Sequence, residues 1–283
     1  MSMQVSEIRR LEAEFGWSPN FEQLESENSY VNKNWTTIQS AYSDDQTAWL
    51  NEGGTSSWWY DTRNSLILRG LKKIGMNDCL WDIGGGPGIV SSYLIGHGIS
   101  CVGVEPSRSG VLASGQRGVP SIESDLESLA LPSASVSCIG LFDVLEHVND
   151  RPRLLREIRR VLKKDGHLIM TVPSLTWLWS QSDLDVGHFL RYSKRSVRAE
   201  LKNSGFLVRS SRYFFVSIVL PLFVLRSIPF RLGFRQPVDD GVLLNQGGGI
   251  MGKILQKFET AISGFTPLGT SLLVIATPSD TSS

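Results

Sequence analysis

Apolar positions along this chain change their spacing in three zones. In the first, Ile8, Leu11 and Phe15 recur at helical intervals. Arg63, Leu66, Ile67, Leu68 and Leu71 do the same behind Trp58-Trp59-Tyr60. Residues 1–75 therefore read as helices that cap another part, not as an independent core. From Asn77 to Pro173, short apolar runs alternate with helical stretches. Cys79 to Ile83 ends in glycines, Ile89 to Gly96 is helical, and Ser100 to Val104 ends at Glu105. Val136 to Phe142 ends at Asp143, and Leu154 to Leu162 is amphipathic. Gly166 suits the left-handed position after that helix. His167 to Val172 is a further strand, stopped by Pro173. Such alternation implies right-handed crossovers and a parallel α/β sheet with helices on both faces.

The third zone begins with a polar, aromatic segment up to Tyr192. A helix around Ser196 to Ser204 and a strand from Phe206 to Tyr213 follow. Phe214 to Phe230 is unusually apolar, interrupted by Pro221 and Arg226. Gly247-Gly248-Gly249 reads as a loop and Ser271 to Ala276 as the last strand. The expected organisation is a helical cap or lid over 1–75, a core over 76–213, an apolar helical insertion over 214–270, and a last strand with its tail over 271–283.

Charge narrows the function classes. Lys plus Arg and Asp plus Glu both number 28, so nothing marks the chain for nucleic acid. Cys79, Cys101 and Cys138 are too few and scattered for a disulfide framework or a zinc motif, and read as small buried residues. The N-terminal MSMQVSEIRRLEAEF lacks the apolar core of a signal peptide, so a cytoplasmic location is expected.

The candidate chemistry starts at Asp82-Ile83-Gly84-Gly85-Gly86-Pro87-Gly88, between a strand and a helix. Glycines there allow a sharp turn and close approach to a ligand, and Pro87 suits the first helical turn. Ligands of open parallel sheets sit beyond the carboxyl ends of the strands. A dinucleotide fingerprint starting at Gly84 would need glycine at position 89, which is Ile. Glu105, with Pro106 after it, ends the next strand, where a carboxylate can accept from ribose hydroxyls. Asp125-Leu126 precedes the turn at Pro132; the competing view of Asp125 is a helix cap or turn residue.

The pattern Asp82-x-Gly84-x-Gly86-x-Gly88 resembles the first motif of class I methyltransferases that use S-adenosylmethionine (SAM). Phe142-Asp143-Val144-Leu145-Glu146-His147-Val148, then Arg160-Val161-Leu162-Lys163 to Gly166, resembles the type 11/12-like branch of that family. The resemblance is strong from Trp81 to Pro173. It implies a Rossmann-like seven-stranded sheet with an antiparallel last strand, and SAM as cofactor. It also implies that Asp82, Gly84, Gly85, Gly86, Glu105 and Pro106 hold SAM, that Asp125 and Leu126 meet its adenine, and that Phe142 and Asp143 lie beside its methionine part. The rivals are a NAD-dependent oxidoreductase and a non-catalytic SAM-binding protein.

On the acceptor side, His147 is the first candidate base; the competing view has Glu146 and His147 merely capping the next helix. Trp177, Trp179, Asp183, His188, Arg191 and Tyr192 form a second cluster, with His188 and Tyr192 as candidate catalytic groups. Trp58, Trp59, Tyr60 and Arg63 are either core or a lid that brings Arg63 to the SAM carboxylate. No metal is expected, because Glu146, His147 and His188 come from separate segments without ligand spacing. The stretch at 214–235 either covers the pocket or docks peripherally on the inner face of a membrane. The acceptor is expected to be a small molecule or a lipid- or glycan-linked group.

Overall fold

The computed structural model describes residues 3–17, 20–24, 28–35, 58–235, 250–263 and 265–279. The alternation read from the sequence builds one sheet of nine strands in the order β1-β2-β5-β4-β3-β6-β7-β9-β8. The central strands are β3 (Leu80–Ile83), β4 (Cys101–Glu105), β5 (Ser121–Glu123), β6 (Val136–Phe142) and β7 (Leu162–Pro173). They pair in parallel along β5-β4-β3-β6-β7. The last strand, β9 (Ser271–Pro278), runs antiparallel between β7 and β8 (Phe206–Phe214). The family-like strand arrangement is therefore present.

Two more strands extend the opposite edge. The first zone holds helix α1 (Met3–Phe15), but β1 (Phe21–Gln23) and β2 (Ser29–Asn32) follow it. They form a hairpin whose second strand pairs in parallel with β5. The helices-only reading of this zone, and the count of seven strands, are corrected by this hairpin. Strands of three and four residues are too short to establish a period of two. Trp17 ties this zone down: its Nε1 donates to the Leu129 carbonyl (3.0 Å) and its ring meets Trp81 edge-on.

Both faces of the parallel sheet are covered, as parallel sheets require. Successive residues alternate between two cores: Trp81 and Ile139 in one, Leu80 and Cys138 in the other. The first takes Leu155, Ile158, Val197 and Leu201 from helices α5 (Arg151–Val161) and α7 (Lys194–Asn203). The second takes Ile67, Leu71, Val90 and Leu94 from α2 (Trp58–Lys73) and α3 (Ile89–Gly96). Cys79, Cys101 and Cys138 are buried and free. Helix α4 (Arg108–Gln116) links β4 to β5.

Two helix-end expectations fail locally. Pro87 precedes the N-cap of α3, Gly88, instead of lying in its first turn. Helix α5 ends at Val161, and the chain turns directly into β7 through an extended Leu162. Gly166 sits in β7, where a Cβ would come within 2.9 Å of the Lys163 carbonyl. It serves an irregularity in β7, not a left-handed cap, because the β6 register jumps from Leu162 to His167 there.

Beyond β8, α8 (Val219–Leu222), a π-helical turn (Phe223–Ser227) and α9 (Ile228–Arg231) run without a break. Helix α10 (Ile250–Ile262) is pinned by Glu259, which accepts from the Val216 and Ser217 amides (3.2 and 2.7 Å). No helix among the described residues is long and apolar enough to cross a membrane. Gly247-Gly248-Gly249 and the tail beyond Ser279 lie outside the described residues.

Candidate functional site

The parallel strands all present their carboxyl ends at one edge, and the candidate residues follow those ends. Gly84 follows β3, Glu105 ends β4, Asp125 follows β5 and Asp143 follows β6. The glycine turn is held to β4 by Gly84 N–H, which donates to the Val104 carbonyl (2.7 Å). Gly84, Gly86 and Gly88 all have positive φ (71°, 52° and 75°). At Gly84 a Cβ would lie 2.8 Å from Val144 Cγ2, so only glycine lets the β3 and β6 loops meet. Gly86 N–H donates to Glu105 Oε2 (3.0 Å), and Ser107 N–H donates to Oε1 (2.9 Å). Burial pushes the Glu105 carboxyl up, against the opposing pull of these bonds.

A cavity of about 330 Å³ opens beside this turn. Arg63, Asp82, Gly84, Gly85, Gly86, Phe142 and Asp143 line one end of it. Arg63 reaches in from α2 and pairs with Asp143 Oδ2 (2.6 Å), its guanidinium lying over the rings of Trp59 and Tyr60. Asp143 has φ 56°, a strained region for a non-glycine residue. Asp82 accepts from Ser91 Oγ (2.6 Å) through Oδ2, while its buried Oδ1 has no hydrogen-bond partner among the described residues. Such an orphaned acceptor beside the glycine turn suits a bound ammonium group, as a methionine moiety carries. Ile218, Leu222 and Arg226 roof the cavity, so one side of the apolar stretch covers the site.

The other end of the cavity carries Glu146, His147, Asp183, His188 and Arg191. Phe189 N–H donates to the Glu146 carbonyl (2.8 Å), which ties the loop after β7 to the loop after β6. Asp183 sits in the short helix α6 (Gln181–Asp185). Its Oδ1 accepts from His188 Nδ1 (2.9 Å) and Arg191 Nε (2.7 Å), its Oδ2 from Ser180 N–H (2.9 Å). Burial would raise the Asp183 carboxyl, but the His188 and Arg191 contacts outweigh it and hold it below the usual range. The rings of His147 and His188 meet edge-on at 4.8 Å. Burial, then the His188 charge, lowers His147 to about 4, so it is neutral at physiological pH. Glu146 is fully buried; desolvation and then Asp143 push its carboxyl well above the ordinary value. The helix-cap view of Glu146 and His147 is corrected: they form a separate 3₁₀ turn, and Asp150 caps α5 by accepting from Arg153 N–H (3.1 Å).

A family model described as a methyltransferase domain matches residues 60–211. This chain belongs to that family. An "Uncharacterized methyltransferase" of Mycobacterium ulcerans is 28% identical over 151 residues, which is 50% of this chain and 58% of the relative. A "Probable S-adenosylmethionine-dependent methyltransferase" of Mycobacterium tuberculosis is 40% identical over 53 residues, 19% of either chain. This chain thus spans well under two thirds of the length of these curated relatives. Among solved structures, "the putative methyltransferase" in complex with the Haloferax volcanii Trm112 methyltransferase activator superposes with TM-score 0.55 at 18% identity, covering 84% of this chain and 97% of its own. Phosphoethanolamine N-methyltransferase 2 of Haemonchus contortus, in complex with SAM, gives 0.52 at 15%, covering 86% and 59%. These likenesses establish a common fold.

In this methyltransferase fold, the sequence-selected residues divide into three groups. Arg63, Asp82, Gly84, Gly85, Gly86, Phe142, Asp143, His147 and His188 share the cavity. Glu105, Pro106, Asp125 and Leu126 belong to the same sheet edge but do not line it. Asp125 Oδ1 accepts from Ser128 N–H (2.7 Å), the bond expected of a turn residue, and Leu126 is buried. Tyr192 does not reach the cavity: its ring is buried with Val197 and Leu201, and its backbone bonds Pro173 and Leu175. Ser91, the partner of Asp82, escaped the sequence reading; no local spacing singles it out.

Asp82 also makes the free protein pH-sensitive. Burial raises its carboxyl from 3.8 to about 6, against the Ser91 bond. A carboxyl raised on folding favours the folded state at low pH, and that contribution is lost as pH climbs from about 4 to about 6. Asp82→Asn keeps the shape without the charge. Its thermal stability relative to wild type is expected to rise from near zero at pH 4 to several degrees at pH 7.5, from a difference of about 3 kcal/mol. Melting curves across that range check this; a constant difference would refute it.

Proposed function

We propose that this chain transfers a methyl group from SAM to an acceptor presented at a lipid surface. The observation that carries the reading is the single cavity running from the glycine turn to the Asp183–His188 pair. At one end, Asp82 Oδ1 meets the amino group of SAM, and the Arg63 guanidinium, steadied by Asp143, meets its carboxylate. Phe142 packs beside the same methionine chain. Glu105 accepts from the Gly86 and Ser107 amides, and its remaining acceptor capacity meets ribose hydroxyls. Asp125 and the Leu126 amide recognise adenine from the next strand end. When bound, SAM supplies an electrophilic methyl on a cationic sulfur.

The protein's part is to hold the acceptor in line with that methyl and to exclude water. His147 and His188 receive the acceptor's nucleophilic group. Asp183 fixes the His188 ring by its Nδ1, so that Nε2 faces Glu146. Tyr192 serves as a strut for this loop instead of touching the acceptor.

The lipid element comes from the roof. Its inner side, Ile218 and Leu222, lines the cavity, while Leu220, Val224, Leu225, Leu232 and Phe234 are exposed. Arg231 and Arg235 lie on the same segment, which suits an anionic interface. Calorimetry should give one site for S-adenosylhomocysteine and none for NAD; the reverse would sink the cofactor reading. Co-sedimentation with phosphatidylglycerol vesicles should pull down wild type and leave Leu220→Glu/Leu225→Glu in solution. Failure of wild type to sediment would sink the lipid element alone.

A further inference from the structure

Three side chains that lie on separate segments meet at the acceptor end of the cavity. Glu146 and His147 come from the turn after β6, and His188 from the loop after β7. One donor atom from each lies within 4.8 Å of the other two. Glu146 is the anomaly among them. Its side chain is 1% exposed, and apart from its own backbone N–H neither oxygen has a hydrogen-bond partner among the described residues. The two arginines whose charge reaches it, Arg191 and Arg63, are paired with Asp183 and Asp143. His188 Nε2 stands 3.9 Å from Glu146 Oε1, too far for a hydrogen bond.

We infer that Glu146, His147 and His188 form a binding site for one divalent transition-metal ion. A carboxyl withdrawn from water without partners is either neutral or held by a positive charge, and an ion bound between it and the two imidazoles would supply that charge. His188 already has the outer partner that a ligating imidazole takes, because Asp183 accepts from its Nδ1 and leaves Nε2 directed at Glu146. Bonds of about 2.0–2.2 Å would draw the three donors to roughly 3–3.5 Å of one another. The loops need to close by about 1 Å or a little more. Two imidazoles with one carboxylate suit zinc, cobalt, iron(II) or manganese better than magnesium or calcium. All three residues line the cavity, so the remaining coordination positions face the acceptor.

The use of that ion rests on the methyl-transfer reading; its binding does not. An acceptor oxygen would occupy an open position, which narrows the acceptor to one offering a hydroxyl. Coordination makes a hydroxyl more acidic. With its proton released to water at the open side of the cavity, the new O–C bond would form as the C–S bond breaks, and the sulfonium would leave as a neutral thioether.

The test is titration of chelator-treated protein with Zn²⁺, Mn²⁺ and Co²⁺ by calorimetry, with visible absorption reporting the Co²⁺ geometry. One ion per chain is expected, with Mg²⁺ weaker. Glu146→Gln and His188→Gln should each weaken binding by about 100-fold, and Asp183→Asn by about 10- to 100-fold. S-adenosylhomocysteine affinity, measured on the same samples, should stay within about twofold and reports that each variant is folded. Absence of stoichiometric ion binding, or equal affinity in wild type and both ligand variants, overturns the metal site. Loss of S-adenosylhomocysteine binding in wild type with the ion still bound would instead overturn the methyl-transfer reading.

Discussion

Asp183→Ala is expected to lower stability by about 3–5 kcal/mol and to abolish methyl transfer. Asp183 is 1% exposed and its two oxygens serve three donors in two directions: His188 Nδ1, Arg191 Nε and the Ser180 amide. Removing it strands the Arg191 guanidinium, 9% exposed, with only the Ser174 carbonyl (3.2 Å) as a further acceptor among the described residues. It also frees the His188 ring and unlatches the start of α6. Asp183→Asn separates the two roles. The amide keeps one acceptor for His188 or Arg191, so chemical denaturation should show a smaller loss, while single-turnover methyl transfer should still fall by at least about tenfold. The carboxyl lies below its ordinary 3.8, so its stabilisation is complete above that pH and fades as pH falls further. The stability difference between wild type and Asp183→Asn should therefore shrink below about pH 3.8. A difference that persists unchanged into strong acid would show that packing, not charge, carries it.

The second large effect is expected at Gly88. This residue caps α3 with φ 75° and ψ 22°, and a Cβ there would stand 2.4 Å from Ser114 Oγ and 3.1 Å from Ser114 Cα. Gly88→Val meets both a left-handed backbone and a neighbouring helix. Strain of about 1–3 kcal/mol adds to overpacking of similar size. The relief available is a shift of the turn itself, which carries Gly84, Gly85 and Gly86. Affinity for S-adenosylhomocysteine should fall by at least about 100-fold, the equivalent of roughly 2.7 kcal/mol. Gly96→Ala is the matched control: this glycine ends the same helix with nothing within 4 Å of a Cβ. It should leave affinity intact and add about 0.5–1 kcal/mol of stability. Equal affinity in Gly88→Val and wild type would remove the turn from the binding site.

Both predictions start from residues that the sequence exposes differently. Gly88 belongs to a run whose spacing is itself the signal, because a tight strand–helix turn is built by neighbours in the chain. The same locality makes β3, β4, β6 and β9 readable: each is a short apolar run ending at a glycine, acid or proline. Asp183 was legible only as a member of a polar cluster after a strand. Its bond to His188 spans five residues, but its partnership with the Glu146 loop depends on β6 and β7 lying side by side.

What the chain determined unaided is the alternation of strands and helices, the glycine turn and the acids at the strand ends, since each depends on residues within a turn or two. Strand order, the hairpin added beyond β5, the exclusion of Tyr192 from the cavity and the meeting of Glu146 with His188 were decided by tertiary structure. Pairing between distant strands sets those distances, and a fully buried carboxylate is recognisable as one only when everything that surrounds it has been packed.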